Sequence, residues 1–164
     1  MAMTSEMHLR ESGQSSAHRF DYRGMHRYLI TLPTFRQAAV FTAKEPVMQV
    51  LDLLHDSCLK SHFDTYAYCF LPDKLVMIVR GKEDSSDMKA FLALFRAASS
   101  EALRSALGHP LWKKTYMERV LRKTEDNKKI AEEVFQLPVK AGLVAAAAEY
   151  QFQGSLVTRP RQSP

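Results

Sequence analysis

Histidine and cysteine side chains are the groups in this chain that could bind a transition metal. The sequence has six histidines, at positions 8, 18, 26, 55, 62 and 109, and two cysteines. Residues two apart on a strand point to one face and could share a metal, but no histidine has a partner at that spacing. Two cysteines are too few for a disulfide framework. We therefore expect no metal or other cofactor, and we interpret Cys69, in an apolar run, as a buried thiol.

Basic side chains are numerous enough to bind a nucleic acid backbone. The net charge is +5, and residues 111–140 carry eight basic and five acidic side chains. An excess of this kind on one face binds phosphates mainly by releasing counterions. A solvated surface of mixed charge explains the same counts equally well. The candidates for phosphate contact are Arg27, Arg36, Lys74, Arg80, Lys113, Lys114, Arg119, Arg122 and Lys123.

Aromatic side chains could add base stacking. Trp112 and Tyr116 lie among the basic residues and could stack on an unpaired base, although packing in the core is the favoured interpretation of Trp112. A second group of aromatic residues alternates imperfectly along the sequence. Sheets that bind RNA display aromatic side chains in this way, but packing in the core explains the pattern equally well. Its members are Phe63, Tyr66, Tyr68 and Phe70.

The elements that must position these residues alternate in type. Apolar and β-favouring runs predict strands at 26–32, 63–71, 74–80 and 116–122, and Pro72-Asp73 predicts a tight turn between the second and third. Helical spacing of apolar residues predicts helices at 46–61 and from Met88 to about Gly108. Thr124 is expected to cap a last helix over 125–135, which Pro138 would stop.

The order of these elements predicts an α+β, ferredoxin-like domain. Its βαββαβ arrangement forms an antiparallel sheet with helices on one face, and an extra C-terminal helix follows. We expect the domain to span residues 25–157, between flexible tails at 1–24 and 158–164. No apolar stretch approaches the length needed to span a bilayer, so no membrane contact and a cytoplasmic location are expected.

Three stretches, in this order, resemble the REP-associated tyrosine transposases, relatives of the single-tyrosine HUH transposases of small bacterial insertion sequences. Ala67 to Val79 (AYCFLPDKLVMIV) is similar to the family's strand, Pro-Asp turn and metal-binding strand. Leu111 to Arg122 (LWKKTYMERVLR) is similar to its tryptophan, basic and aromatic stretch. Pro138 to Val144 (PVKAGLV) is similar to its Pro-Val-x-x-Gly-Leu signature. The resemblance covers residues 19–157 and implies the fold that the element order predicts.

The resemblance also implies a catalytic site that this chain lacks. Family members hold Mg²⁺ or Mn²⁺ through two histidines on one strand, and a helix tyrosine attacks the DNA phosphorus. The two histidine positions hold Lys74 and Val76, and the tyrosine position holds Glu133. Protonated lysine and valine offer no lone pair to a metal. We expect Lys74 and Glu133 to face each other and to form an ion pair.

The resemblance thus implies a DNA-binding protein of DNA transposition that no longer cuts. The expected partner is single-stranded or hairpin DNA, and a homodimer is a further expectation. Two alternatives stay open. One is an active DNA transposase with unconventional residues, and the other is a scaffold repurposed for binding protein or RNA.

Overall fold

The computed structural model describes residues 10–11 and 20–157. Most of the two predicted tails therefore lies outside the described residues. The elements in chain order are β1 (Arg10–Glu11), β2 (Arg27–Pro33), α1 (Lys44–Ser61), β3 (Phe63–Leu71), β4 (Lys74–Gly81), α2 (Met88–Leu107), β5 (Met117–Val120), α3 (Asn127–Phe135), α4 (Leu137–Lys140) and β6 (Gln153–Gly154). None of the described helices is both long and apolar enough to cross a membrane.

The strands form an antiparallel sheet in the order β1-β5-β2-β4-β3-β6. Its four central strands have the order of a ferredoxin-like sheet, which confirms the predicted α+β fold. The β3–β4 hairpin turns at Pro72-Asp73, and Leu71 pairs with Lys74 across the turn. Both residue types favour turns, which is why the sequence located this hairpin to the residue.

One face of the sheet packs against α1 and α2. Alternate strand residues point to this face, because successive side chains of a strand point in opposite directions. Tyr28, Ile30 and Met77 are fully buried there. Phe91 and Phe95 of α2 belong to the same apolar cluster. The two helices thus cover this face, as the predicted arrangement requires.

The opposite face packs against α3. Ile130 and Val134 point from the helix into a second apolar cluster, which includes Cys69, Val76 and Ile78 of the sheet. The extra C-terminal helix therefore covers the face that α1 and α2 leave open. Cys69 is a free, fully buried thiol, as predicted.

The predicted start of α3 and the predicted role of Pro138 are wrong, whereas the helix ends at Phe135 as expected. Asp126, not Thr124, is the N-cap, and its carboxylate accepts from the backbone N–H of Lys128. Glu125 lies before the helix because its carboxylate binds the Arg119 guanidinium and the Arg122 N–H. Pro138 does not stop the helical path. It lies at the start of α4, where a missing N–H costs nothing.

Residues 20–24, which the sequence assigned to the tail, contact the domain. Phe20 and Tyr22 pack against the first apolar cluster. The backbone N–H of Gly24 donates to the Ser86 carbonyl oxygen at 2.8 Å. A Cβ on Gly81 would come within 2.1 Å of the Gly24 carbonyl oxygen, so only glycine fits where these two segments meet.

Candidate nucleic-acid interface

The two strand positions that the resemblance assigns to metal ligands lie in different surroundings. Val76 pairs with Thr31 of β2 and Cys69 of β3, and it is 6% exposed beneath α3. Lys74 lies two residues earlier on the same face. It is the first residue of β4 and is half-buried. Val76 therefore contributes to the apolar cluster, whereas Lys74 reaches the rim of the sheet.

A divalent metal does not fit these positions. A protonated lysine and a valine present no lone pair, and divalent metals bind through oxygen, nitrogen or sulfur donors. Among the described residues, no group of three or more His, Cys, Asp or Glu side chains is placed to hold a metal ion.

The expected ion pair between Lys74 and Glu133 does not form. Glu133 is exposed on α3, next to the buried Val134. No ion pair within 4.0 Å joins these two described residues. The resemblance places both residues at one catalytic site, but the sequence does not specify how α3 is rotated about its own axis. Burying Ile130 and Val134 fixes that rotation and turns Glu133 to solvent.

Lys74 lines a groove where β2, β4 and β5 meet the loops beyond them. The groove has a volume of about 460 Å³. Four of its lining residues carry positive charge and one carries negative charge. They are Arg36, Lys74, Lys113, Lys114 and Asp73. The rest of the lining comprises Thr31, Pro33, Thr34, Phe35, Gln37 and Met117. We call this feature the basic groove.

The Lys113–Lys114 segment is held against both the sheet and α2. The Lys113 N–H donates to the Pro33 carbonyl oxygen at 2.9 Å. The Arg96 guanidinium of α2 donates to the carbonyl oxygens of Lys113 and Lys114 at 2.7 and 3.0 Å. Because the backbone is held from two sides, this segment keeps two exposed lysines in the lining of the groove.

Trp112 and Tyr116 are core residues and do not form a stacking platform. Trp112 is 6% exposed, and its indole Nε1–H donates to the Ser99 hydroxyl at 2.9 Å. Tyr116 is 5% exposed, and its hydroxyl accepts from Lys89 at 3.2 Å. The core interpretation of Trp112 is therefore confirmed, and base stacking on either ring is excluded.

The loop after β2 has an unusual backbone at the mouth of the basic groove. Arg36 and Gln37 have φ angles of 54° and 57°, in the left-handed region that favours glycine. Thr34, which is fully buried, holds the loop by donating its hydroxyl to the Ala38 carbonyl oxygen and its backbone N–H to the Asp73 carbonyl oxygen. Nothing in the sequence singled out Gln37, because no residue pattern predicts two consecutive left-handed positions that lack glycine.

The backbone strain at Arg36 can be tested by replacing this residue with glycine. Arg36→Gly is expected to stabilise the fold by about 0.5–1 kcal/mol, since glycine avoids the left-handed penalty at a smaller cost in chain entropy. Urea unfolding followed by circular dichroism measures the change. Gln136→Gly is the matched control, because Gln136 is also exposed but has a φ of −87° and should destabilise. Equal destabilisation by both variants would contradict strain at Arg36.

The remaining basic candidates lie at the other end of the sheet. Arg27 pairs with Arg80 in the register, and its guanidinium donates to Asn127 and to the Arg122 carbonyl oxygen. Arg119 forms an ion pair with Glu125 at 3.0 Å. Arg122 and Lys123 are exposed nearby in sequence. The structure thus divides the nine candidates into a groove set of four and a distant set of five.

His55 and His62 line a small pocket with Cys58. The Cys58 thiol lies 3.2 Å from the Thr65 hydroxyl, and burial raises the pKa of the thiol to about 11. His62 lies 3.6 Å from the Glu83 carboxylate. These side chains are not among any group of three or more His, Cys, Asp or Glu residues placed to hold a metal within the described part of the chain, so this pocket offers no replacement for the missing metal site.

Tyr150 is a tyrosine that the sequence arguments missed. It packs against the second apolar cluster, and its hydroxyl donates to the Phe70 carbonyl oxygen. Burial, which is the larger cause, and the nearby Cys69 together raise the pKa of its phenol to about 12. A nucleophilic tyrosine must lose its proton, so these surroundings oppose that role for Tyr150.

Comparison of the whole structure with solved structures places these features in a known fold. A REP-associated tyrosine transposase bound to a REP hairpin superposes with a TM-score of 0.71 and 18% identity. The match covers 85% of this chain and 82% of that one. The chain has the fold of this transposase. A candidate transposase from Deinococcus radiodurans has a TM-score of 0.51 and 16% identity, over 75% of this chain and 95% of that one.

The transposase fold confirms the resemblance first seen in three short stretches. No protein-family profile matches the sequence, and no curated protein matches it either. At 18% and 16% identity the likeness establishes the fold and leaves the activity to be argued from this chain's own residues.

Proposed function

We propose that this transposase-like protein binds single-stranded or hairpin DNA through the basic groove and does not cut it. The basic groove is the observation that supports the proposal. It brings together Arg36, Lys74, Lys113 and Lys114, which come from three separate parts of the sequence. A set of four cations against one carboxylate in a concave site suits a phosphate backbone.

We infer that the protein does not cut DNA from the residues at the positions that are catalytic in the family it resembles. Lys74 and Val76 cannot hold a metal, and Glu133 has no hydroxyl with which to attack phosphorus. Among the described residues, Tyr116 is buried in the core and Tyr150 is held by the Phe70 carbonyl oxygen. Neither tyrosine offers a replacement nucleophile.

The fixed charge of Lys74 has a consequence for binding. A lysine ammonium is a compact point charge that binds phosphate without a metal. Lys74 takes part in no ion pair within 4.0 Å among the described residues, so its charge is available to a ligand. Binding should therefore not depend on Mg²⁺ or Mn²⁺.

The alternative of an RNA-binding sheet loses its structural basis. Phe63 and Phe70 are buried in the first apolar cluster, and α3 covers the other face of the sheet. Tyr66 and Tyr68 are half-buried and pack against one cluster each. The aromatic residues of β3 thus do not form an open surface for bases.

The experiment is a binding and cleavage assay with a labelled DNA hairpin that carries a single-stranded tail. The hairpin should bind with the same affinity in Mg²⁺, in Mn²⁺ and in EDTA, and affinity should fall steeply with salt. No covalent protein–DNA adduct should form. An adduct that depends on metal would show an active transposase, and failure to bind at low salt would reject the groove as a DNA site.

A further inference from the structure

The basic groove is lined by two kinds of polar side chain. Lys74, Lys113 and Lys114 supply point charges. The loop after β2 supplies Arg36 and Gln37, both exposed. Lysine ammonium groups suit phosphates, whereas guanidinium and amide groups have planar, directional donors that can pair with the edge of a base.

We infer that Arg36 and Gln37 read the base next to the phosphates held by the lysines, with a preference for purines and above all for guanine. This inference rests on the proposed DNA binding and names the part of the DNA that is read. Arg36 carries the guanine preference, because its guanidinium can donate two hydrogen bonds to guanine O6 and N7. The Gln37 amide suits adenine N6 and N7.

The surroundings of Arg36 keep its donors available. Its guanidinium carbon lies 4.9 Å from the centre of the Phe35 ring, a cation–π contact that uses none of its N–H groups as a hydrogen-bond donor to oxygen or nitrogen. His109 stacks on the same ring at 5.6 Å between ring centres. Neither Arg36 nor Gln37 forms a side-chain hydrogen bond or an ion pair with the described residues.

The backbone of the loop also favours a binding role. Two consecutive non-glycine residues with positive φ cost stability, and such strain persists where the surrounding structure holds it. Thr34 supplies that hold through its two hydrogen bonds. The two residues with this left-handed backbone, Arg36 and Gln37, line the same groove as the lysines.

The test uses fluorescence anisotropy with hairpins whose single-stranded tail contains about 12 thymidines, a length that fills one binding site. One internal thymidine is replaced in turn by dG, dA or dC. We expect the tail with dG to bind about tenfold more tightly than the all-dT tail, with dA intermediate. Arg36→Lys should reduce the dG preference, because it keeps the charge and loses the planar fork, and should weaken binding to the all-dT tail by less than Lys114→Ala does.

Lys114→Ala is the matched comparison. It should weaken binding to every tail by the same factor and leave the dG preference intact. Binding of all tails with equal affinity would overturn base reading and leave the proposed function standing. Failure of the wild-type protein to bind any tail at low salt would overturn both. A dG preference that Arg36→Lys leaves undiminished would also overturn the assignment to Arg36.

Discussion

Replacing Lys74, Lys113 and Lys114 together by glutamine is expected to lower the affinity for hairpin DNA by about 100-fold at low salt, because three phosphate contacts are lost. The slope of log affinity against log salt should become shallower by roughly 2 units, at about 0.7 for each single-strand phosphate. Titrations of wild type and variant at several salt concentrations measure both quantities. The variant should fold normally, since Lys113 and Lys114 are exposed and Lys74 is only half-buried.

The control removes the same charge from another part of the surface. Arg23, Lys60 and Lys82 are exposed and do not line the basic groove. Changing all three to glutamine lowers the net charge equally but should reduce the affinity only slightly. An equal loss of affinity in both triple variants would mean that overall charge attracts the DNA and that the groove is not the site.

Replacing Trp112 by alanine is expected to destabilise the fold by about 3–5 kcal/mol, the usual cost of removing a large buried aromatic side chain. The indole ring packs between Phe41 and Phe95, with ring centres 5.8 and 6.0 Å away. Trp112 also forms a β-bridge with Thr34, next to the loop that carries Arg36. Its loss should therefore loosen the groove as well as the core.

Urea unfolding followed by circular dichroism measures this change, since the variant has no tryptophan to report by fluorescence. Trp112→Phe is the control, because it keeps most of the ring volume and loses the hydrogen bond to Ser99. It should cost about 1–2 kcal/mol. A cost below about 1 kcal/mol for Trp112→Ala would show that the side chain does not hold this part of the core.

Local signals in the sequence were sufficient for the hairpin and the order of elements. Pro72 and Asp73 favour a turn whatever surrounds them, so the β3–β4 hairpin was predicted to the residue. The start of α3 was misplaced because Glu125 binds Arg119, a contact that depends on tertiary structure. A capping rule applied to Thr124 cannot include such a contact.

The candidate site was predicted only in part, for a similar reason. The basic residues were recognised by type, but no local pattern shows that Arg36 and Lys74 share a groove while Arg27 and Arg119 bind partners at the other end of the sheet. The positive φ angles at Arg36 and Gln37 lie next to Thr34, which is tied to Asp73 on the β3–β4 turn, 39 residues away. Both features depend on long-range pairing, which residue types alone do not specify.

The segment that contains β6 covers the edge of β3, through which copies of the protein could otherwise associate. Its backbone runs along β3, where the Phe70 N–H donates to the Phe152 carbonyl oxygen and the Leu156 N–H donates to the Thr65 carbonyl oxygen. An uncovered β3 would present a long apolar edge on which strands of other molecules could add, the first step towards fibrils. We therefore expect the last described residues to protect the β3 edge from such pairing, and we expect a fragment ending before residue 150 to lose that protection.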